Sequence, residues 1–143
     1  MYVDTILKKK GDTVIAVEPT DSISKAAQLL NEKRIGAALV QHGSGEILGI
    51  ISERDIVRGL ARHQDGCLSM RVEELMTSPV ITCTSNDTID QVMQLMTDRR
   101  IRHLPVVDGD TLSGVISIGD VVERRISEIE HESEALKQYI VTG

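Results

Sequence analysis

Gly49-Ile50-Ile51-Ser52-Glu53-Arg54-Asp55 and Gly114-Val115-Ile116-Ser117-Ile118-Gly119-Asp120 are two copies of one phrase, Gly-apolar-apolar-Ser-x-x-Asp. In each copy a short β-prone run leads into residues with helical spacing, so the phrase marks a strand turning into a helix. A serine three residues ahead of an acid at a helix start reads as a capping box, in which Ser and Asp each accept the other's backbone N–H. The same junction also presents backbone N–H groups at the positive end of a helix, where anions are attracted. There a serine can meet phosphate, and an ionised aspartate, acceptor-only, can meet two ribose hydroxyls. Taken residue by residue, both readings stand.

The phrase belongs to a longer duplication. Residues Val14–Arg58 align with Val80–Glu123, at an offset of 66 up to the turn at Gly43 and 65 beyond it. Identities include Val14/Val80, Asp21/Asp87, Ile23/Ile89, Gln28/Gln94, Arg34/Arg100, Ile35/Ile101, Val40/Val106 and Asp55/Asp120. Repetition at a fixed period means one supersecondary unit used twice.

Each half reads alike. A β-rich segment (Val14–Val17, Val80–Cys83) meets a turn with Asp21 or Asp87 as helix N-cap. Ile23, Ala26, Ala27 and Leu30 then share one helical face, as do Ile89, Val92, Met93 and Met96; these methionines read as core. Two strands follow, Ala37–Val40 with Ile47–Ile51 and Leu104–Val107 with Leu112–Ile116, joined around His42-Gly43-Ser44-Gly45 and Asp108-Gly109-Asp110. Short helical leads, Val3–Leu7 and Val72–Met76, precede the halves, and Gly59–Arg71 reads as a polar linker. The expected domains are 1–61, a linker at 62–71, 72–127, and a C-terminal extension at 128–143.

Composition narrows the function. Of 143 residues, 41% are hydrophobic, enough for a core, and the net charge of −6 disfavours nucleic acid or an anionic membrane as partner. There is no Phe or Trp, so a purine would lie between Ile, Val and Leu rather than between rings. Cys67 and Cys83 are too few for a disulfide framework and suit a reducing, cytoplasmic setting. No apolar run approaches the roughly 18 residues of a membrane span, and no apolar signal region opens the chain. His42, His63 and His131 lack metal-ligand spacing. Nothing resembles a nucleophile–base pair or a Walker-type loop, so no catalytic residue is assigned. Lys8-Lys9-Lys10 reads either as a solvated run or as cations near a ligand's phosphates.

The duplication, its spacing and the paired Gly-x-x-Ser-x-x-Asp phrases resemble the CBS domain family, named for cystathionine β-synthase, over nearly the whole chain. The resemblance implies an α/β (α+β) fold of two pseudo-twofold-related repeats, each a small sheet with two helices, plus a C-terminal helix. It also implies regulatory binding of AMP, ADP, ATP, S-adenosylmethionine or NAD-type ligands, with no catalytic cofactor. Carried over by position, one cleft would use Ile50, Ser52 and Asp55 with Ile81, Arg102 and His103. The other would use Val115, Ser117 and Asp120 with Ile15, Gly36, Ala37 and Arg54. The Arg102-His103-Leu104-Pro105 run matches a family pattern whose basic pair meets phosphate. Gly36-Ala37 holds no cation at the matching positions, so the Asp55 cleft is expected to bind phosphate more tightly.

Beyond Asp120 the chain reads as one helix to Ile140, with Val122, Ile126, Ile129, Leu136 and Ile140 on one stripe interrupted by Ser133. Such a stripe must be covered, by its own domain or by a second copy. The resemblance favours the second copy, hence a homodimer. Sensing of adenylate or NAD status, relayed to an unidentified effector, is the expected function. The rival readings are a ligand-free dimerisation scaffold and a nucleotide-acting enzyme.

Overall fold

Local rules set most elements, and the computed structural model describes residues 1–11, 14–43 and 45–142, the last by its backbone alone. Ser44 of the first expected turn lies outside the described residues. Compact packing divides the chain into two units, residues 13–81 and residues 1–12 with 82–143.

In the first unit, β1 (Ala16–Val17), β2 (Ala37–Gln41) and β3 (Ile47–Ser52) form a sheet in that order. β1 runs parallel to β2, and β3 runs antiparallel to it. Helix α2 (Ile23–Lys33) connects β1 and β2 and buries Ile23, Ala26 and Leu30, as its apolar spacing requires. Its cap sits one residue later than expected: Ser22 accepts the Lys25 N–H at 3.1 Å. Asp21 instead closes the preceding turn on the Glu18 N–H at 2.9 Å and pairs with Lys25. Arg34 ends the helix in the left-handed conformation. Helix α3 (Glu53–His63) follows β3 directly. The stretch expected as a polar linker is ordered: α3 runs through Gly59, and a 3₁₀ helix (Gln64–Ser69) carries Cys67 into the core. Helix α4 (Val72–Leu75) closes the unit's edge.

The second unit repeats the plan with differences. Helix α1 (Val3–Lys10) opens it, and α5 (Ile89–Arg99) buries Ile89, Val92 and Met96. Here too the cap moves from the expected Asp87 to the next residue, Thr88, which closes a capping box with Gln91. β4 (His103–Asp108) and β5 (Thr111–Ser117) form the hairpin. The strand expected at Val80–Cys83 shrinks to one parallel bridge, Cys83 to Val106. The reason lies just beyond it: the Ser85 N–H bonds Asp108 at 2.9 Å and its carbonyl accepts the Asp4 N–H at 3.0 Å, which turns the chain off the ladder. Burial first, then the carboxylates of Asp87 and Asp108, push the Cys83 thiol up to about 12. It is an inert core residue. Helix α6 (Ile118–Thr142) extends for roughly 37 Å at 1.5 Å per residue.

Chain order and packing order differ at the two leads. Each was expected with the repeat that follows it, yet each packs in the unit of the other. The N–H groups of Val3 and Asp4 bond the carbonyls of Asp87 and Ser85. Those of Val72 and Glu73 bond Asp21 and Pro19. The phrase glycines make room for this. A Cβ on Gly49 would lie 2.8 Å from both Met76 Sδ and the Thr77 carbonyl oxygen, and one on Gly114 would lie 2.8 Å from Leu7 Cδ2. Among the described residues no helix is long and apolar enough to cross a membrane.

Gly49→Ala should therefore cost about 1–3 kcal/mol, because the Thr77 carbonyl is backbone and cannot simply swing away. Gly66→Ala, with no atom within 4 Å of the added carbon, should cost much less. Urea unfolding of the two variants checks this, and equal stabilities would contradict the close approach.

Candidate functional site

Both phrases fold as strand-to-helix junctions, and both close on themselves. In the first, Ser52 Oγ accepts the Asp55 N–H at 3.2 Å, while Asp55 Oδ2 accepts the Ser52 N–H at 2.9 Å and its hydroxyl at 3.0 Å. In the second, Ser117 Oγ accepts the Asp120 N–H at 3.1 Å and Asp120 Oδ2 accepts the Ser117 N–H at 2.9 Å. These bonds satisfy amides that a helix start leaves without intrahelical partners. The capping-box reading thus holds at both sites, and any ligand chemistry is added to it.

What the leads contribute separates the two carboxylates. At the first site the Ile50 carbonyl accepts the Thr77 N–H at 2.8 Å, and Asp55 Oδ1 accepts the Thr77 hydroxyl at 3.0 Å. At the second, one ammonium does both jobs. Lys10 Nζ donates to the Val115 carbonyl at 2.9 Å and to Asp120 Oδ2 at 2.7 Å. Ile50 and Val115 are equivalent in the duplication, so Lys10 stands where Thr77 stands in the other copy.

Burial follows this difference. Asp55 is 7% exposed, a charge tolerated inside because neutral donors and a helix N-terminus surround it. It already accepts three hydrogen bonds of the roughly four a carboxylate can hold. The Asp120 side chain is 25% exposed and that of Lys10 is 40% exposed. Burial pushes the Asp120 carboxyl up, but the Lys10 hydrogen bond, the Ser117 amide, the Lys10 charge and the Ser117 hydroxyl together outweigh it and hold the carboxyl below its usual range.

The remaining candidate residues divide between the units. Ile15, Gly36, Ala37, Ile50, Ser52, Arg54, Asp55 and Ile81 lie in the first. There the Gly36 carbonyl accepts the Glu53 N–H at 2.9 Å, Ala37 sits opposite Ser52, and the Ile15 carbonyl accepts the Leu39 N–H. Arg54 is exposed on the first turn of α3, and Ile81 is half-buried. Arg102, His103, Val115, Ser117 and Asp120 lie in the second. His103 sits opposite Ser117, and the Arg102 carbonyl accepts the Ile118 N–H at 2.8 Å. Within its own unit, then, the basic pair adjoins the Asp120 phrase. Residues opposite one another on an antiparallel pair share a face, so His103 and Ser117 do.

Two residues of these sites escaped the motif reading. Thr77 carries no signature of its own. Lys10 lay in a lysine run that was noted, but its partner is 110 residues away.

Because the folded Asp120 carboxyl lies below its unfolded value, its ion pair stabilises above the unfolded value, about pH 3.9, and is lost as pH falls through the folded one. Wild type should exceed Asp120→Asn in stability at pH 6, and the gap should narrow below pH 4. Denaturant midpoints at both pH values test this, and a gap that widens in acid would reject the Lys10 pairing as its source.

Comparison with known proteins gives a consistent picture. The CBS domain model matches residues 11–62 and 72–127. The CBS domain-containing protein CBSX3, mitochondrial, of Arabidopsis thaliana is 33% identical across 99% of this chain and 72% of its own length. The crystal structure of the CBS-domain containing protein ATU1752 from Agrobacterium tumefaciens superposes with a TM-score of 0.85 at 43% identity, over 87% of this chain and 92% of that one. The CBS domain pair of protein MJ0100, solved in complex with 5'-methylthioadenosine and S-adenosyl-L-methionine, superposes with a TM-score of 0.76 at 28% identity, over 86% of this chain and 98% of that one. With two matched repeats spanning most of its length, the chain belongs to the CBS domain family.

Proposed function

We propose that this chain is a regulatory module that binds adenine nucleotides of the AMP, ADP, ATP or NAD type and performs no chemistry on them. The observation that carries the reading is the doubled junction, which twice sets a carboxylate at a helix N-terminus beside a strand. Such a carboxylate accepts ribose hydroxyls, while nearby amides and cations favour phosphate. The adenosine compounds held by the MJ0100 domain pair support the class of ligand. In this reading Asp55 and Asp120 take ribose, Ser52 and Ser117 face phosphate, and Arg102, His103 and Arg54 supply charge. Ile15, Gly36, Ala37, Ile50, Ile81 and Val115 line the purine. Occupancy is read by an effector protein.

The two sites are unequal, in an order opposite to the one motif matching suggests. Asp55 is held by the Ser52 amide and hydroxyl and the Thr77 hydroxyl, all neutral, whereas Asp120 is held by the Ser117 amide and hydroxyl and by a displaceable cation, Lys10. A panel of AMP, ADP, ATP, NAD and S-adenosylmethionine should raise the melting temperature, with saturation at 100 times Kd worth roughly 2.7 kcal/mol. By calorimetry, Asp120→Ala should remove the tighter event. No shift at millimolar ligand would leave the empty-scaffold reading, and chemically altered ligand on recovery would leave the enzyme reading.

A homodimer is the second element, on a separate observation. Val122, Ile126, Ile129, Ser133, Leu136 and Ile140 recur at alternating spacings of four and three, the heptad of a helix-to-helix seam. The five apolar members are all exposed, from 39% at Val122 to 69% at Ile140. A second copy of α6 is the partner whose pattern matches. Ile129→Glu should convert a dimer to a monomer in light scattering at micromolar concentration. A monomeric wild type would remove this part of the proposal.

A further inference from the structure

The first repeat's lead and the second repeat's phrase together hold a feature that neither shows alone. Lys10 is the last residue of α1, and its ammonium reaches the Asp120 carboxylate and the Val115 carbonyl. Lys9 beside it pairs with Glu123 one turn further along α6. Lys10 and Asp120 also border a cavity of about 420 Å³ between these two helices, whose other charged walls are Lys9, Arg124, Glu123 and Glu130.

Ribose hydroxyls are donors, and so is an ammonium. Hydroxyls arriving at Asp120 offer it new hydrogen bonds and so free Lys10 from the carboxylate. The freed ammonium has a flexible four-carbon stem and is partly exposed, so it can turn without burying an unpaired charge. A phosphate brought in on the same ribose would be repelled by the negative Asp120, a repulsion that the basic pair Arg102-His103 of the same unit shares in offsetting. Lys10 is the cation already in place to offset that repulsion. A ligand with a positive charge at the same point would meet the ammonium instead. At the Asp55 site the equivalent position is Thr77, a neutral donor that discriminates neither way.

We propose that Lys10 is the specificity-determining residue of the Asp120 site, exchanging its carboxylate partner for the ligand's phosphate when ribose binds. The site thereby selects adenine nucleotides carrying a phosphate over adenosine and over the cationic S-adenosylmethionine. This rests on the adenine-nucleotide reading of that site.

The test is calorimetry of AMP, adenosine and S-adenosylmethionine against wild type, Lys10→Met, Lys10→Arg and Lys8→Met. The event followed is the one that Asp120→Ala removes. Lys8 pairs with Asp4 on its own helix, so Lys8→Met controls for net charge. In Lys10→Met, AMP should weaken about tenfold or more, as expected for losing a hydrogen bond to a charged group. Adenosine should change little, S-adenosylmethionine should tighten, Lys10→Arg should keep most of the AMP affinity, and Lys8→Met should match wild type. Equal weakening of AMP and adenosine would make Lys10 a positioning residue for Asp120 and overturn the proposal. Equal tightening of all three ligands would make it a simple plug and overturn it as well. Should Lys10→Met fail to fold, Lys10→Gln takes its place under the same criteria. If wild type binds none of the three, the nucleotide reading itself falls. If it binds AMP and Lys10→Met keeps the wild-type preference, only the role of Lys10 falls.

Discussion

The structure depends on a strand becoming a helix with no intervening loop, twice. A helix start exposes amides that need acceptors, and a strand end offers none in its own direction. Ser52 with Asp55, and Ser117 with Asp120, meet that need reciprocally. Once the junction is closed this way, α3 starts directly off β3 and α6 directly off β5, and the carboxylate is pinned at the turn. The glycine three residues upstream is then constrained as well. It lies where a lead segment crosses the strand, and a side chain there would collide with Met76 and Thr77 or with Leu7. One phrase thus encodes a strand end, a helix start and a crossing point.

Those consequences were not equally visible in the sequence. Helix faces were, because Ile23, Ala26 and Leu30, and Ile89, Val92 and Met96, follow a local period and are buried as that period demands. Hairpins were visible for the same reason. The caps were read one residue early, since Asp21-Ser22 and Asp87-Thr88 each offer two good capping residues in a row. Side-chain bonds reaching three residues back from the first of each pair and three residues on from the second assign the first to the turn and the second to the helix. The lost strand at Val80–Cys83 turns on Asp108, which gathers Ser85 and Ser113 from two other segments. No local pattern announces that. Nor does any pattern announce the exchange of the leads, because hydrogen bonds such as Val3 to Asp87 join residues far apart in the chain.

Duplication explains why the candidate site was only half legible. The two phrases look alike because they solve the same capping problem, and that problem is local. Their difference comes from the donors the leads supply, Thr77 to one and Lys10 to the other, and these arrive from outside each phrase. At the first phrase the donor from the lead is a neutral hydroxyl, that of Thr77, which is itself exposed while the carboxylate it bonds is buried. An ammonium is costlier to bury, so Lys10 and Asp120 stay nearer to solvent. The two carboxylates thus differ both in the polarity of that donor and in their exposure.

A lock and an exchangeable pair make a reasonable division of labour for a binding module. A carboxylate held by neutral donors, as Asp55 is, has three bonds in place before any ribose arrives. A carboxylate held by a partly exposed ammonium loses little when that ammonium leaves, since solvent-accessible ion pairs are worth little net energy. Ligand hydroxyls then compete against a weak bond rather than a strong one. The proposed exchange would break one contact between the last turn of α1 and the start of α6, the helix whose apolar stripe lies exposed further along. Asp120 and that exposed stripe therefore lie on one continuous helix.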